Sequence, residues 1–513
     1  MPDFIALDAL VGQTAVDAPD RIAVIDGERQ LSYAGLDDLI NRVAAAMQAE
    51  GLKPRDVISI CALSCIEYVA TFLGALRAGV AVAPLAPSST PRDFAAMVKD
   101  SGAKILFMDE DTAAAMGASA DAPLRVSLDD GAWGRPFSAW CAAPGTKPKP
   151  VTIDPDWTFN IIYSSGTTGT PKGIVHSHYL RWRQYAQFAL DYIRDAVMVL
   201  STPLYSNTTL VCFNPTFAGG GTVVLMKKFD ARGFLELSEK HRATHTMLVP
   251  VQYRRIMALP DFERFDLSSY QMKFCTSAPF AAGLKADILK RWPGGLTEYY
   301  GMTEGGGSCA LLAHEHPDKL HTVGQPAEGH DIRLIDEAGN ELPPGATGEV
   351  VGHSAGMMAG YHGQPAKTAE AEWFDAEGKR FIRTGDVGRF DDEGFLTLVD
   401  RRKDMIISGG FNLYPSDLEA VLRQHADVAE AAVAGVPSER WGETPAAWVV
   451  LRPGATLDAE ALRAWANERL GKTQRIAWLS FVDELPRSAI GKVLKRELRD
   501  RFHAAHPTGA PHG

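Results

Sequence analysis

Residues 163–173 read Tyr-Ser-Ser-Gly-Thr-Thr-Gly-Thr-Pro-Lys-Gly, and this run constrains the chain more than any other. Glycines at 166, 169 and 173 let backbone N–H groups turn toward an anion. Hydroxyls at Ser164, Ser165, Thr167 and Thr168 add donors, and Lys172 adds a point charge. Such a loop suits a triphosphate. The apolar run Phe159–Tyr163 before it predicts a buried strand, with the loop at its end. The G-x-x-x-x-G-K spacing of a Walker A loop is excluded, because Pro171 stands where the second glycine would be.

At 513 residues the chain is too long for one core and calls for two or more domains. A net charge of −11 argues against nucleic acid as a bulk partner but leaves room for a local nucleotide site. The most apolar long stretch, Cys61–Ala86, is broken by Glu67 and Arg77, so no membrane span is expected. The N-terminus Met1-Pro2-Asp3-Phe4 has neither the basic segment nor the apolar core of a secretion signal, which makes a cytoplasmic enzyme the expectation. The six cysteines form no CxxC pair, so neither a zinc site nor a disulfide framework is indicated. Cys61 and Cys65, spaced by one helical turn, are expected to pack in a core.

Hydrophobic periodicity predicts an α/β fold. Short β runs at 56–62 and 80–84 flank a helical pattern at 65–78, a βαβ signature. A hairpin is expected from Ala23–Ile25 and Gln30–Ser32 around Asp26-Gly27. From 157 to 326, strands at Phe159–Tyr163, Val197–Ser201, Thr222–Leu225, His245–Val249 and Phe274–Ser277 alternate with helical stretches, which fits a second wound unit. Residues 331–400, rich in Gly, Pro and Asp turns, predict a small antiparallel sheet or barrel. The remainder predicts a compact α+β domain with helices at 415–424 and 458–470 and strands at 431–436, 446–451 and 478–482. The expected division is 1–400 as a large N-terminal domain, 401–502 as a small mobile domain and 503–513 as a disordered tail.

The loop at 163–173 resembles the phosphate loop of the adenylate-forming enzymes: acyl- and aryl-CoA synthetases, luciferases and peptide-synthetase adenylation domains. Further motifs come after it along the chain. Glu298-Tyr299-Tyr300-Gly301-Met302-Thr303-Glu304 looks like the Tyr-Gly-x-Thr-Glu motif. The resemblance implies that Tyr300 stacks on adenine beside Gly301, Thr303 meets the α-phosphate and Glu304 ligates Mg²⁺. Ser277-Ala278-Pro279 is similar to the loop beside adenine and the acyl tunnel. Arg383-Thr384-Gly385-Asp386 implies Asp386 on the ribose hydroxyls, and Asp400-Arg401-Arg402-Lys403-Asp404 implies Arg401 at the nucleotide and Lys403 as the hinge. Gly409, Gly410 and Phe411 match the channel for the pantetheine arm. Lys492, in Pro486-Arg487-Ser488-Ala489-Ile490-Gly491-Lys492, matches the lysine that bridges carboxylate and α-phosphate.

The implied activity is acid–CoA ligation with ATP, Mg²⁺ and coenzyme A, through an acyl adenylate and by domain alternation. Tyr205, Ser206, Asn207, Phe213, Gly305 and Gly306 are candidates for the acid pocket, with Ser206 where relatives often carry His. The absence of Lys, Arg and His from 201–226 favours a monocarboxylate, aromatic or medium-chain aliphatic. A carrier-protein pantetheine as acceptor and a non-catalytic nucleotide sensor are the alternatives, and a homodimer stays open.

Overall fold

The computed structural model describes residues 3–117, 124–164, 172–189, 195–401, 404–408, 411–438, 441–471, 474–488 and 491–506. The chain divides into two compact units, Met1–Asp331 with Gly352–Ile382, and Ile332–Val351 with Arg383–Gly513. The boundary expected at 400 falls inside the second of these units. The strand Leu396–Arg401 pairs with the second half of Arg380–Phe390, and the helix Pro415–Leu422 packs on it, so 383–400 groups with the C-terminal residues.

The first unit carries two wound sheets. One is ordered Gln325–Pro326, Ser308–Leu312, Gly295–Gly301, Met272–Cys275, His245–Leu248, Val197–Leu200, Thr222–Leu225, Ile22–Asp26 and Arg29–Ser32. Its central strands run parallel, and antiparallel pairs close both ends. The other is ordered Gly360–Tyr361, Lys172–Ser177, Thr158–Ser164, Ala81–Pro84, Val57–Cys61, Ile105–Met108, Leu124–Ser127 and Arg135–Pro136. The α/β expectation holds, but two hairpins lie in the sheet opposite to the one their sequence position suggested. The N-terminal hairpin joins the sheet of 197–326, and Thr158–Ser164 with Lys172–Ser177 joins the sheet of 57–136.

The helix Ile66–Arg77 explains the long apolar stretch. It touches strands of both sheets, so ten of its residues are buried and an apolar face all round is what it needs. Tyr33–Ala49 packs on it through Ile40 and Val43, and a Cβ at Gly74 would sit 2.6 Å from a Val43 methyl, so the two helices approach only over a glycine. Cys61 and Cys65 do not share a helix. Cys61 ends a strand, and Cys65 is the residue before the helix, its Sγ accepting from the Tyr68 N–H at 3.4 Å. No helix among the described residues is long and apolar enough to cross a membrane.

In the second unit Val428–Ser438 and Gly442–Leu451 pair antiparallel, with Trp478–Phe481 parallel alongside. Strand alternation splits the core: Val433 and Val449 meet Leu418, Leu422 and Leu462 of two helices on one face. Ala432, Ala434 and Trp448 meet Leu498 and Phe502 on the other. The last helix is Lys495–Ala505, which runs past 503, the start expected for a tail; residues 507–513 lie outside the described residues. Phe502 is buried against Trp478 (ring centroids 5.0 Å) and His506 (4.5 Å), which holds the final turn in place.

Candidate active site

Within the first unit the candidate residues gather where parallel strands end, the usual place for a ligand in a wound sheet. Val197–Leu200 runs out toward Tyr205 to Asn207, Met272–Cys275 toward Ser277 to Pro279, and Gly295–Gly301 toward Met302 to Gly306. The 163–173 loop spans the tip of an antiparallel hairpin, in which Tyr163 pairs with Gly173 and Ser164 with Lys172. Ser165, Gly166, Thr167, Thr168 and Gly169 lie outside the described residues, as does the side chain of Ser164.

The Thr303–Glu304 turn is fastened to the strand that leaves this loop. His176, on Lys172–Ser177, donates from Nε2 to the Thr303 carbonyl at 2.7 Å. Its Nδ1 accepts from Arg181 (2.9 Å) and Asn160 (3.1 Å). A guanidinium can only donate, so Nδ1 is the acceptor and Nε2 carries the hydrogen. Burial, and then the charge of Arg181, hold the His176 pKa well below its usual value. Arg181 is itself fully buried, and burial brings it down to about 9; it donates to Asn160 (2.8 Å) and Gln184 (2.8 Å). The backbone supplies a second fastening. Met358 N–H donates to the Glu304 carbonyl (2.8 Å), Ala359 N–H to Val175 (3.0 Å) and His362 N–H to Gly173 (2.7 Å). Between them Tyr361 donates its hydroxyl to Glu304 Oε1 at 2.8 Å, while Lys172 Nζ stands over its ring, 5.0 Å from the centroid.

Sequence reasoning passed over Tyr361 and His176. Gly360–Tyr361 is a two-residue strand in a region read as turns. His176 sits in the alternation of a strand, where its bonding partners cannot be read.

Tyr300 lies half-buried near the end of its strand, opposite Cys309, with Gly301 exposed after it. Ser277 has a left-handed backbone (φ 82°), strained for a residue with a Cβ, and its Oγ shares a 2.5 Å hydrogen bond with Thr208 Oγ1. That bond ties the Ser277–Ala278–Pro279 loop to the helix Asn207–Ala218.

The acid-pocket candidates separate. Ser206 caps that helix, accepting from the Thr208 N–H at 3.2 Å. Phe213 belongs to the core, edge-on to Phe72 and Phe217. Gly305 (φ 74°) would put a Cβ 2.2 Å from the Gly356 carbonyl oxygen, and Gly306 would put one 2.5 Å from Ile382 Cβ. These two glycines serve close packing. Tyr205 and Asn207 are half-buried, and the Asn207 Oδ1 is buried with no partner among the described residues.

In the second unit, Asp386 lies directly opposite Arg401 in the pair of Arg380–Phe390 with Leu396–Arg401. Thr384 Oγ1 braces that turn, accepting from the Asp386 N–H (3.0 Å) and donating to the Val350 carbonyl (2.8 Å). Lys492 closes a tight loop. Its carbonyl accepts from the Ser488 N–H (2.8 Å), and its N–H donates to Ser488 Oγ (3.2 Å). Arg487 donates to the Gly491 carbonyl (2.8 Å) and pairs with Glu430. Lys403, Gly409 and Gly410 lie outside the described residues, as do the side chains of Arg401 and Phe411.

Two wound sheets, a hydroxyl- and glycine-rich hairpin tip and an aromatic–hydroxyl–carboxylate turn pinned beside it define a nucleotide-dependent adenylating enzyme. The chain belongs to the AMP-binding enzyme family, whose model matches residues 12–362; that of the AMP-binding enzyme C-terminal domain matches 417–492. A fatty acid–[acyl-carrier-protein] ligase of Streptomyces coeruleorubidus is 33% identical over 97% of this chain and 97% of its own length. A feruloyl-CoA synthase of an Amycolatopsis species is 34% identical over 94% and 96%. Among solved structures, ATP-bound MatB from Rhodopseudomonas palustris superposes with a TM-score of 0.86 at 29% identity, covering 98% of this chain and all of the other.

Proposed function

We propose that this protein is an ATP-dependent acid–thiol ligase, converting a monocarboxylate and ATP to an acyl adenylate and pyrophosphate, then to an acyl thioester and AMP. One observation carries the reading: the Thr303–Glu304 turn is bound through His176, Met358 and Tyr361 to the strand that leaves the glycine-rich loop. A binding-only protein needs no carboxylate held at the phosphates.

Magnesium fits this arrangement. No cluster of three His, Cys, Asp or Glu side chains gathers among the described residues, and one carboxylate is enough where nucleotide phosphates supply the other oxygens. Glu304 would hold the ion, which would supply charge neutralisation at the phosphates. Lys172 and the hydroxyls of the loop would bind the leaving pyrophosphate. Tyr300 would stack on the base and Asp386 would accept from the ribose. Lys492 would sit between the carboxylate and the α-phosphate, where two anions must approach. For the second half, the reading carried from the sequence turns the small domain about Lys403, withdraws Lys492 and brings Gly409, Gly410 and Phe411 to the pantetheine thiol.

An aromatic or medium-chain aliphatic acid remains the preferred substrate class. The two curated relatives are named for a hydroxycinnamate and for fatty acids. The buried Asn207 Oδ1, without a partner among the described residues, is an acceptor suited to a ring hydroxyl. The carrier-protein alternative is favoured by one of those relatives, whose acceptor is an acyl carrier protein by name. Pyrophosphate release from MgATP across a panel of carboxylic acids, with and without CoA, tests all of this. The expected result is release with one acid class, made continuous by CoA. A single burst that only a pantetheinylated carrier protein sustains would move the acceptor, and silence with every acid would leave a nucleotide sensor.

A further inference from the structure

Lys172 and Glu304 are of opposite charge, yet among the described residues both are met by the same third side chain. Tyr361 donates its hydroxyl to one Glu304 oxygen at 2.8 Å and presents its ring face to the Lys172 ammonium, 5.0 Å from the centroid. The ring is held from several sides. It fills a cluster with Ile174, Met358 and Ile382, and it is only 8% exposed. Its backbone pairs with Ile174 of the loop's exit strand, and its N–H donates to Thr368 Oγ1 at 2.9 Å. Gly360 beside it takes a φ of 151°, and a Cβ there would crowd Thr368. A side chain gripped in this way is a fixed point between two charged groups.

We propose that Tyr361 is a positioning residue that keeps Lys172 and Glu304 from neutralising each other and aims them separately, the ammonium at nucleotide phosphate and the carboxylate at the metal. A lysine and a glutamate free to collapse together would have to be pulled apart by every incoming MgATP. An aromatic ring attracts the cation by its face without removing its charge. A phenol hydroxyl bound to one carboxylate oxygen fixes the rotamer and leaves the second oxygen for a cation, as groups behind metal ligands commonly do.

This inference rests on the reading of Glu304 as the metal ligand, and the test separates the two. The affinity for α,β-methylene ATP is measured by calorimetry in EDTA and again in saturating Mg²⁺; the ratio is the metal's contribution, with no turnover involved. Tyr361→Phe keeps the ring and removes the hydroxyl. It should leave metal-free affinity within about twofold and lower the ratio about 10-fold, the usual cost of losing a group behind a metal ligand. Tyr361→Met removes the ring as well, and should also weaken metal-free binding several-fold. Glu304→Gln serves as the reference for loss of the metal's contribution. An unchanged ratio in Tyr361→Phe, with the ratio collapsed in Glu304→Gln, overturns the role given to Tyr361 and leaves the metal reading standing. A ratio unchanged in both removes the two together. Should Tyr361→Met fail to fold, the Phe variant decides alone, since its ring still fills the Ile174–Met358–Ile382 cluster.

Discussion

His176→Leu tests whether the buried relay behind the Thr303–Glu304 turn acts as one unit. The imidazole serves three groups: it donates to the Thr303 carbonyl and accepts from Arg181 and Asn160. Leucine leaves the Thr303 carbonyl, the Arg181 Nη2 and the Asn160 Nδ2 without the imidazole in a buried site. At about 2 kcal/mol for each buried unsatisfied group the loss is about 6 kcal/mol. Burying the leucine returns about 2 kcal/mol, so the net destabilisation is about 4 kcal/mol. Arg181→Met on its own takes the guanidinium bond from the Asn160 carbonyl oxygen, while His176 Nδ1 keeps the bond from the Asn160 amide. In the double variant the Arg181 guanidinium that His176→Leu strands is itself gone, so it should cost about 1–3 kcal/mol less than the sum of the singles. Urea unfolding of the four proteins at pH 7.5 measures the cycle. Additivity within about 0.5 kcal/mol, or a His176→Leu loss below about 1 kcal/mol, refutes the relay.

Three other outcomes are expected. Both ring nitrogens of His178 are buried without hydrogen-bond partners among the described residues, and burial takes its pKa down to about 4. Below about pH 6.5 the unfolded chain therefore takes up a proton that the native ring refuses, and stability falls as pH drops until it levels off near pH 4. That is about 3 kcal/mol over the window; His176 adds in the same direction, and His178→Leu should flatten the slope of the urea midpoint between pH 7 and 4.5. Gly305→Ala forces a side chain onto a left-handed backbone and against the Gly356 carbonyl. It should cost at least about 1–2 kcal/mol in melting experiments and raise the KM for ATP by shifting Glu304; an unchanged KM would show that the turn does not position the nucleotide. Lys492→Ala should slow adenylation on the order of 10²-fold while thioester formation from supplied acyl adenylate stays within a few-fold, and equal losses in both halves would refute its assignment.

The strand and helix runs were readable because local period and composition report burial. The sequence expectation of His245–Val249 meets a strand at His245–Leu248, and 65–78 meets a helix at Ile66–Arg77. Partnership was not readable. Nothing local to Ile22–Asp26 says that it pairs with Thr222–Leu225, since a parallel neighbour is chosen by the packing of both sheets around one shared helix. The site divides along the same line. Thr303, Glu304 and Lys172 stand out because a charge or hydroxyl beside glycine is chemically conspicuous. Tyr361 and His176 look like ordinary strand residues, and only their contacts give them a role. The acid pocket is less legible for the opposite reason: a small residue can mean space for a substrate or closeness of neighbours, and a Cβ at Gly305 or Gly306 would meet neighbouring atoms at once.

The N-terminal hairpin also sets a timetable for synthesis. Thr222 Oγ1 donates to the Ile22 carbonyl across 200 residues, and Ile22–Asp26 finds its parallel neighbour only in Thr222–Leu225. At 5–20 residues per second, roughly 10–40 s pass between the emergence of one strand and that of the other. Throughout that interval a nascent chain carries an apolar β segment whose parallel partner has yet to be made. Its later half completes an edge laid down at the start, so the larger unit closes late, on the ribosome or after release from it.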